Sequence, residues 1–313
     1  MKKYAVLLVV YKRYHNLEHL ITILTKANIR IYTYVDIDDN SSKENLNAIS
    51  IVKKYTDLGQ IASHINKINL GAGSAIPKAI DWVFNHEDYV LVIEDDCELG
   101  DYALEYFENS INYLSDQVKI ISGRSAYAET DKFRPIKKLT LTNYSLTNGW
   151  LTSRKSWQDI SRGIESGVKF RLYLLAVLRK PLKTLPLSYF YAACLINMGA
   201  KRFAWDCFVT FEMLAKNYYS VNPDLTCITT KGIDEFASNT IGASHHSRNH
   251  IALSSEFSPS SFLDTNRKYI KSNNTFIKKN IYNIKWYHLF SPIKSCFKTR
   301  RYRFRWLSIE SEL

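Results

Sequence analysis

Short apolar runs alternate with amphipathic stretches over the first 125 residues of this 313-residue chain. Four runs have the length and composition of strands that are covered on both faces. These runs are Tyr4–Val10, Ile29–Val35, Tyr89–Ile93 and Val118–Ser122. The stretches between and around them carry apolar residues at the spacing of one helix face. Such alternation predicts an α/β fold with a mostly parallel, Rossmann-like sheet.

The inward face of each predicted helix is defined by its apolar positions. These positions are Leu17, Leu20, Ile21 and Leu24 in the first helix, Leu46, Ile49 and Val52 in the second, Ile76, Ala79, Ile80 and Val83 in the third, and Leu104, Phe107, Ile111 and Leu114 in the fourth. All of them are expected to face the sheet.

The pattern is less regular in the middle of the chain. Leu172–Leu178 is apolar and is flanked by Lys169, Arg171, Arg179 and Lys180. This segment fits either a core helix or a helix that faces a membrane, and the sequence leaves the two open. No run approaches 18 consecutive apolar residues, so no transmembrane helix is predicted.

The N-terminus superficially resembles a signal peptide, because Met1–Lys3 precedes the first apolar run. Lys12 and Arg13 end that run where a small-residue cleavage site is expected, so we interpret it as a buried first strand. Five cysteines form no CxxC pair and leave an odd one over. That usage favours a reducing compartment over a disulfide scaffold or a zinc site.

The net charge of +12 is concentrated at the C-terminal end. From residue 265 onward there are twelve Lys or Arg and two Glu, a net +10, which leaves about +2 for the rest. In Arg301–Trp306 cationic and aromatic residues alternate strictly. The segment fits a membrane interface, a nucleic-acid contact or a solvated edge. We favour the first and predict a cytoplasmic protein, peripheral on the inner face of the cell membrane, with no nucleic-acid partner.

Three adjacent carboxylates, Glu94-Asp95-Asp96, directly follow the third apolar run. Ligands of open α/β sheets bind outside the carboxyl ends of the strands, where this triplet is expected to lie. Adjacent carboxylates need a cation or strong donors, and Mg²⁺ or Mn²⁺ prefers such oxygen ligands. An ion that also bridges a diphosphate would neutralise the charge of a leaving nucleotide. The alternative is a solvated acidic turn, and the position after a buried strand favours the catalytic interpretation.

The segment VLVIEDDCELGDYALEYF, residues 90–107, resembles the metal-binding segment of eukaryotic N-acetylglucosaminyltransferase I and its bacterial relatives. Further motifs that look like those of the family follow in the same order. They are Asn148-Gly149-Trp150 with Trp157, Phe203-Ala204-Trp205-Asp206, Val221–Leu225 and Lys231–Asp234. The resemblance extends over roughly residues 4–245.

This resemblance implies the GT-A fold and an inverting transfer of a sugar from a nucleotide diphosphate sugar, with UDP preferred. The acceptor is expected to be a hydroxyl of a glycan or a lipid-linked saccharide, as in bacterial surface polysaccharide biosynthesis. The resemblance places Asp96 on a Mn²⁺ or Mg²⁺ ion, with His245 as a weaker candidate ligand, and makes Asp206 the catalytic base. The predicted contacts with the nucleotide sugar are Arg13, Asp36, Gly71, Glu94, Asp95, Gly149, Trp150 and Trp205.

The chain departs from the family pattern at three places. Lys12 replaces an acidic residue beside Arg13, and Cys207 follows Asp206 where the family often has a second aspartate. Residues 161–201 have no clear counterpart, so the identities of the transferred sugar and of the acceptor hydroxyl are not carried over from the family.

The expected organisation has three parts. Residues 1–125 form the nucleotide-sugar-binding half, 126–264 the acceptor and catalytic half, and 265–313 a basic aromatic tail on the membrane. Two other functions remain open. One is an inactive subunit that binds a sugar nucleotide. The other is a nucleotidyltransferase, although Tyr11–His15 lacks the glycine-rich basic loop usual for that class.

Overall fold

The computed structural model describes residues 3–125, 138–147, 149–198, 204–223, 226–230, 262–264, 267–292 and 295. The strands are β1 (Ala5–Val10), β2 (Ile31–Val35), β3 (Ala62–Ile65), β4 (Tyr89–Glu94), β5 (Cys97–Leu99), β6 (Val118–Ser122), β7 (Lys138–Thr142), β8 (Trp150–Ser153), β9 (Tyr219–Asn222), β10 (Ile228–Thr230) and β11 (Phe262–Asp264). The α-helices are α1 (Leu17–Lys26), α2 (Lys43–Asp57), α3 (Ala72–Phe84), α4 (Ala103–Ser110), α5 (Arg154–Ile160), α6 (Arg162–Ser166), α7 (Phe170–Arg179), α8 (Thr184–Asn197), α9 (Trp205–Lys216) and α10 (Arg267–Phe276). Short 3₁₀ helices cover Ile111–Tyr113, Pro181–Lys183 and Trp286–Phe290, and a π-helix covers Ile277–Ile281.

Nine of the described strands form one sheet in the order β11-β7-β9-β6-β8-β4-β1-β2-β3. Strands β3, β2, β1 and β4 pair in parallel, β8 runs antiparallel between β4 and β6, and β9 is parallel to β6. Strands β1, β2, β3, β4, β6 and β9 therefore point in one direction, and their carboxyl ends share one edge. The predicted α/β class with a mostly parallel sheet is confirmed.

The helices of the first half bury the predicted faces, with one exception. The four apolar positions predicted for α1 and the four for α3 are all buried. In α2 the prediction for Leu46 is wrong, because that side chain is exposed while Asn45 and Ala48 are buried. Asn45 is turned inward because its amide donates to the carbonyl oxygens of Tyr11 and Asp36. Strand β3 was not predicted, since its Ala-Ser-His-Ile sequence is short and largely polar.

The described part of the predicted C-terminal tail packs on the body of the protein. Helix α10 lies against β7. Ile277 and Ile284 are buried in the same apolar cluster as Phe208 and Phe211 of α9. The described residues of this segment up to Ile284 therefore belong to the folded body, and its contact with a membrane stays a prediction. Arg301–Trp306 lies outside the described residues.

Within the described part of the chain, every helix is too short or too polar to cross a membrane.

Candidate functional site

Asp95 fastens the loop that follows β1 to the end of β4. Its Oδ2 atom accepts hydrogen bonds from the backbone N–H groups of Tyr11, Lys12 and Arg13, at 2.8, 3.0 and 3.0 Å. Burial raises the pKa of Asp95 to about 6, against the opposing effect of these hydrogen bonds. The loop brings Arg13 Nη1 to 3.8 Å from Asp95 Oδ1 and 3.7 Å from Asp96 Oδ2. Asp95 thus positions a cation beside the triplet.

Asp36 holds the glycine loop that starts α3. Its carboxylate accepts from Asn66 Nδ2 at 2.9 Å, from Leu70 N at 3.0 Å and from Gly71 N at 2.8 Å. Gly71 has φ +70°, a conformation that glycine adopts without strain. Asp36 and Gly71 were both predicted to contact the nucleotide. They are hydrogen-bonded to each other and fix the loop before α3 at the carboxyl edge of the sheet.

Lys12, where the chain departs from the family pattern, has its own acidic partner. Its Nζ lies 2.9 Å from Asp38 Oδ2, and the Tyr11 hydroxyl donates to Asp38 Oδ1 at 3.1 Å. Burial alone would raise the pKa of Asp38, but hydrogen bonds from Lys12, Ser42 and Tyr11 outweigh it and lower the pKa. The Lys12–Asp38 pair was not predicted from the sequence.

Glu94 and Asp96 are held less firmly than Asp95. Burial, then the charges of Asp96, Asp95 and Asp206, raise the pKa of Glu94 to about 8. Asp96 Oδ2 accepts a hydrogen bond from Thr230 Oγ1 at 3.2 Å, and its side chain is 17% exposed against 7% for Asp95. Of the two aspartates of the triplet, Asp96 has the carboxylate that is more open to a ligand.

Asp206 lies in the first turn of α9, close enough to Glu94 for its charge to raise the pKa of Glu94. Burial raises the pKa of Asp206 itself, against hydrogen bonds from its own backbone N–H and that of Cys207. The negative charge of Asp206 also raises the pKa of Tyr282 and Tyr189, although burial is the larger cause for both. Asp206, the predicted base, and Asp96, the predicted metal ligand, therefore both lie within electrostatic reach of Glu94.

Two residues of this neighbourhood were missed in the sequence. Arg124 follows β6 at the same edge and is buried. Burial lowers the pKa of its guanidinium, and the charge of Tyr282 opposes this shift only in part. The signal for Arg124 was available, because residues after a predicted parallel strand belong to this edge. Tyr282 belongs to the segment predicted as a tail, where no local pattern pointed to the site.

Trp150 and Trp205, both predicted to contact the nucleotide sugar, belong to the core. Trp150 begins β8 and is 0% exposed, while Trp205 begins α9 and is 6% exposed. Their ring centroids lie 5.7 Å apart, and each ring also contacts Trp157. Almost the whole surface of both side chains is therefore packed against the protein. These contacts fix the start of α9, and with it Asp206, against the sheet.

Gly149 is required by close packing. Its φ is +65°, and a Cβ there would lie 2.3 Å from Ile228 Cδ1. Ile228 belongs to β10, which pairs antiparallel with β5 and ends at Thr230, the donor to Asp96. Gly149 thus allows the β5–β10 pair to approach the site. This structural role was not part of its prediction as a nucleotide-sugar contact.

The donor set at Asp96 fits a magnesium or manganese ion. No group of three His, Cys, Asp or Glu side chains is assembled to hold a metal among the residues that the structure describes. Mg²⁺ usually binds through one or two carboxylates and is completed by substrate phosphates and water. One open carboxylate beside a cationic loop matches that mode of binding. His245 and Lys231–Asp234 lie outside the described residues.

No protein-family model matches this chain, and no curated protein matches it. Solved structures that it resembles include the mannosyltransferase PcManGT from Pyrobaculum calidifontis in complex with GDP-Man and Mn²⁺, at 12% identity and a TM-score of 0.36 over 50% of this chain and 47% of that one. Another is the apo form of the glycosyltransferase GlyE from Streptococcus pneumoniae, at 12% identity and a TM-score of 0.28 over 79% of this chain and 59% of that one. The chain thus spans about half to three-fifths of these two proteins. Similarity at this level assigns no residue roles.

Proposed function

We propose that this protein is a metal-dependent GT-A glycosyltransferase that transfers a sugar from a nucleotide diphosphate sugar, preferably a UDP-sugar. The observation that supports this proposal is the gathering of Glu94, Asp96 and Asp206 at the carboxyl edge of the sheet, beside Arg13. Such a cluster combines an open carboxylate for a divalent ion, a cation for phosphate and a carboxylate base. The acceptor is a hydroxyl of a glycan or lipid-linked saccharide of the kind used in bacterial surface polysaccharide assembly.

The donor side of the proposed reaction rests on Asp96 and Arg13. Asp96 would hold Mn²⁺ or Mg²⁺, and Thr230 orients its carboxylate with a 3.2 Å hydrogen bond. When bound, the ion neutralises negative charge on the leaving diphosphate. Arg13, 3.7 Å from Asp96, is placed to bind the same phosphates. Because Asp95 fixes the Arg13 backbone, the cation is positioned before the donor arrives.

The acceptor side rests on Asp206. In a single displacement the acceptor oxygen bonds to the anomeric carbon, the bond from that carbon to the diphosphate oxygen breaks, and the configuration inverts. The acceptor hydroxyl proton passes to the Asp206 carboxylate. Burial raises the pKa of Asp206 and so makes it a stronger base than an exposed aspartate. The contacts of Trp205 with Trp150 and Trp157 hold the start of α9, and with it Asp206, in place.

The proposal is tested by nucleotide binding measured as a shift in melting temperature. UDP-, GDP-, CMP- and dTDP-sugars are compared with and without Mn²⁺, since a ligand of the folded state raises the melting temperature by mass action. Asp96→Asn should lose the Mn²⁺-dependent shift, while Asp101→Asn, which alters an exposed aspartate nearby, should keep it. A full shift in Asp96→Asn would contradict the assignment of Asp96.

Product analysis separates the remaining functions. A glycosyltransferase forms a glycoside and a nucleoside diphosphate, whereas a nucleotidyltransferase forms a nucleotide sugar. An inactive binding subunit would show the Mn²⁺-dependent shift with its cognate sugar nucleotide and yet release no nucleoside diphosphate, even with acceptor extracts.

A further inference from the structure

Helix α7 directs a ridge of large apolar side chains outward. Phe170, Leu174 and Leu178 are spaced four residues apart on the helix, and Leu182 continues the spacing into the following turn. These four side chains are between 43% and 94% exposed. A helix of a soluble domain normally turns its apolar stripe toward the core, so an outward stripe needs a separate explanation.

The opposite side of α7 is fastened to the protein. Ala176 is buried, and the ring of Tyr173 stacks on Tyr191 of α8 with centroids 4.4 Å apart. The Tyr173 and Ser188 hydroxyls form a 2.8 Å hydrogen bond. The ridge therefore cannot rotate inward without breaking these contacts.

Exposed apolar side chains continue beyond the first turn of α7. A Cβ on Gly167 would lie 2.7 Å from Met198 Cε, so the end of α8 adjoins the start of α7. Met198 and its neighbour Ile196 are both about half exposed. The α7 surface is defined as Phe170, Leu174, Leu178, Leu182, Ile196 and Met198.

The charged residues of the segment that carries the α7 surface are all basic. Between residues 166 and 198 the sequence has five Lys or Arg and no Asp or Glu. Lys169 directly precedes α7, and Arg171 and Arg179 lie in its first and last turns. All three side chains are exposed. An apolar ridge about 15 Å long with cations alongside is typical of a helix that lies in a membrane interface. A protein partner would need negative charges arranged along the whole segment. Anionic lipid headgroups supply such a negative surface without any particular arrangement of residues.

We infer that the α7 surface docks this protein on an anionic lipid bilayer, with the ridge among the acyl chains and the cations at the headgroups. The surface is joined to the candidate site, because Asn197 Oδ1 accepts a 2.9 Å hydrogen bond from Ala204 N at the start of α9. If the protein has the proposed function, docking would present a lipid-linked acceptor on the side of Asp206. Only this consequence rests on the proposed function.

The test is co-sedimentation of the full-length protein with vesicles of equal parts phosphatidylcholine and phosphatidylglycerol. Leu178→Gln with Leu182→Gln should weaken binding by about tenfold or more, because both side chains leave the acyl region. The matched control is Leu46→Gln with Leu58→Gln, two leucines that are 52% and 60% exposed on the other half of the chain. This control should bind as the unaltered protein does. Melting temperatures establish that both variants are folded.

Charge and rival surfaces are tested in the same assay. Arg171→Gln with Arg179→Gln should weaken binding most at low salt, since exposed charges are screened at high ionic strength. Pure phosphatidylcholine vesicles should bind weakly. If Arg301→Gln, Arg303→Gln and Arg305→Gln together abolish binding while the α7 variant binds normally, the inference is overturned in favour of the predicted tail.

Light scattering checks for a second copy of the chain on the same surface. A dimer that dissociates in the Leu178→Gln, Leu182→Gln variant, with no vesicle binding by the unaltered protein, would likewise overturn the inference. Vesicle binding requires no catalysis, so loss of docking and loss of the proposed transferase activity are measured independently.

Discussion

The carboxylates along one edge of the sheet fall into two groups. At the β1–β2 side, Asp36, Asp38 and Asp95 each receive close hydrogen bonds from neighbouring loops or side chains. At the β4–α9 side, Glu94 and Asp206 are half-buried, and the charge of Asp206 reaches Glu94. Asp96 accepts from the Thr230 hydroxyl at 3.2 Å and from the Cys97 thiol at 3.6 Å, and it lies 3.7 Å from the Arg13 guanidinium. The first group holds loops in place, and the second concentrates negative charge.

Asp95 and Asp96 show that neighbours in one motif can belong to different groups. One oxygen of Asp95 satisfies three backbone donors, which leaves that oxygen little capacity for a ligand. Asp96 keeps an accessible carboxylate at the same strand end. Removing a member of the first group should therefore cost folding energy, while removing a member of the second should cost chemistry. The predictions below test this division.

The largest effect is expected from Asp206→Asn, which preserves shape and removes the base. Turnover should fall by about 10²-fold or more, while donor affinity should stay nearly unchanged because Asp206 acts on the acceptor. Steady-state rates and donor binding are measured side by side. Asp116→Asn, an exposed aspartate paired only with exposed Lys155, serves as the control. Near-normal turnover with a large loss of donor affinity would place Asp206 in the donor site instead.

A smaller effect is expected from Asp95→Ala, and it should appear in stability. Three backbone N–H groups lose their acceptor, so the free energy of unfolding should fall by about 2–3 kcal/mol. Asp96→Ala should change it by less than about 1 kcal/mol, because its partners are few and partly exposed. Urea unfolding followed by circular dichroism compares the two variants. Equal losses of unfolding free energy in Asp95→Ala and Asp96→Ala would contradict the division into two groups.

How much was predictable depended on how local the deciding contacts are. The strands and helices of the first half follow periodic patterns within ten to fifteen residues, and these patterns predicted the carboxyl edge and the place of the triplet. The burial of Leu46 was predicted wrongly, because Asn45 donates hydrogen bonds to the carbonyl oxygens of Tyr11 and Asp36. These bonds turn the Asn45 side of α2 toward the core. Within the triplet, the sequence alone could not separate Asp95 from Asp96, since the loop that saturates Asp95 is distant in the chain.

The second half was less predictable for the same reason. Strand β8 has only four residues and is placed by antiparallel pairing with β4 and β6, so no strand was predicted at Trp150. Tyr282 packs on Tyr144 and on Phe190 of α8 through contacts that no local periodicity encodes. Net charge and aromatic content of the C-terminal segment predicted a separate tail, because composition does not show which apolar residues are buried.

The last prediction is a dependence of stability on pH at Glu94. Its pKa in the folded protein is about 8, above the value of 4.5 that is usual for glutamate. A group with a raised folded pKa contributes stability that is present at low pH and is lost as pH rises through the folded value. Glu94→Gln mimics the protonated form, so in EDTA its melting temperature should match the unaltered protein at about pH 5 and exceed it at about pH 8.5. Mg²⁺ should narrow that difference at the higher pH, because it offsets the repulsion among Glu94, Asp96 and Asp206. Melting curves of both proteins across this range decide the point, and a difference that does not vary with pH would show that Glu94 is already ionised throughout.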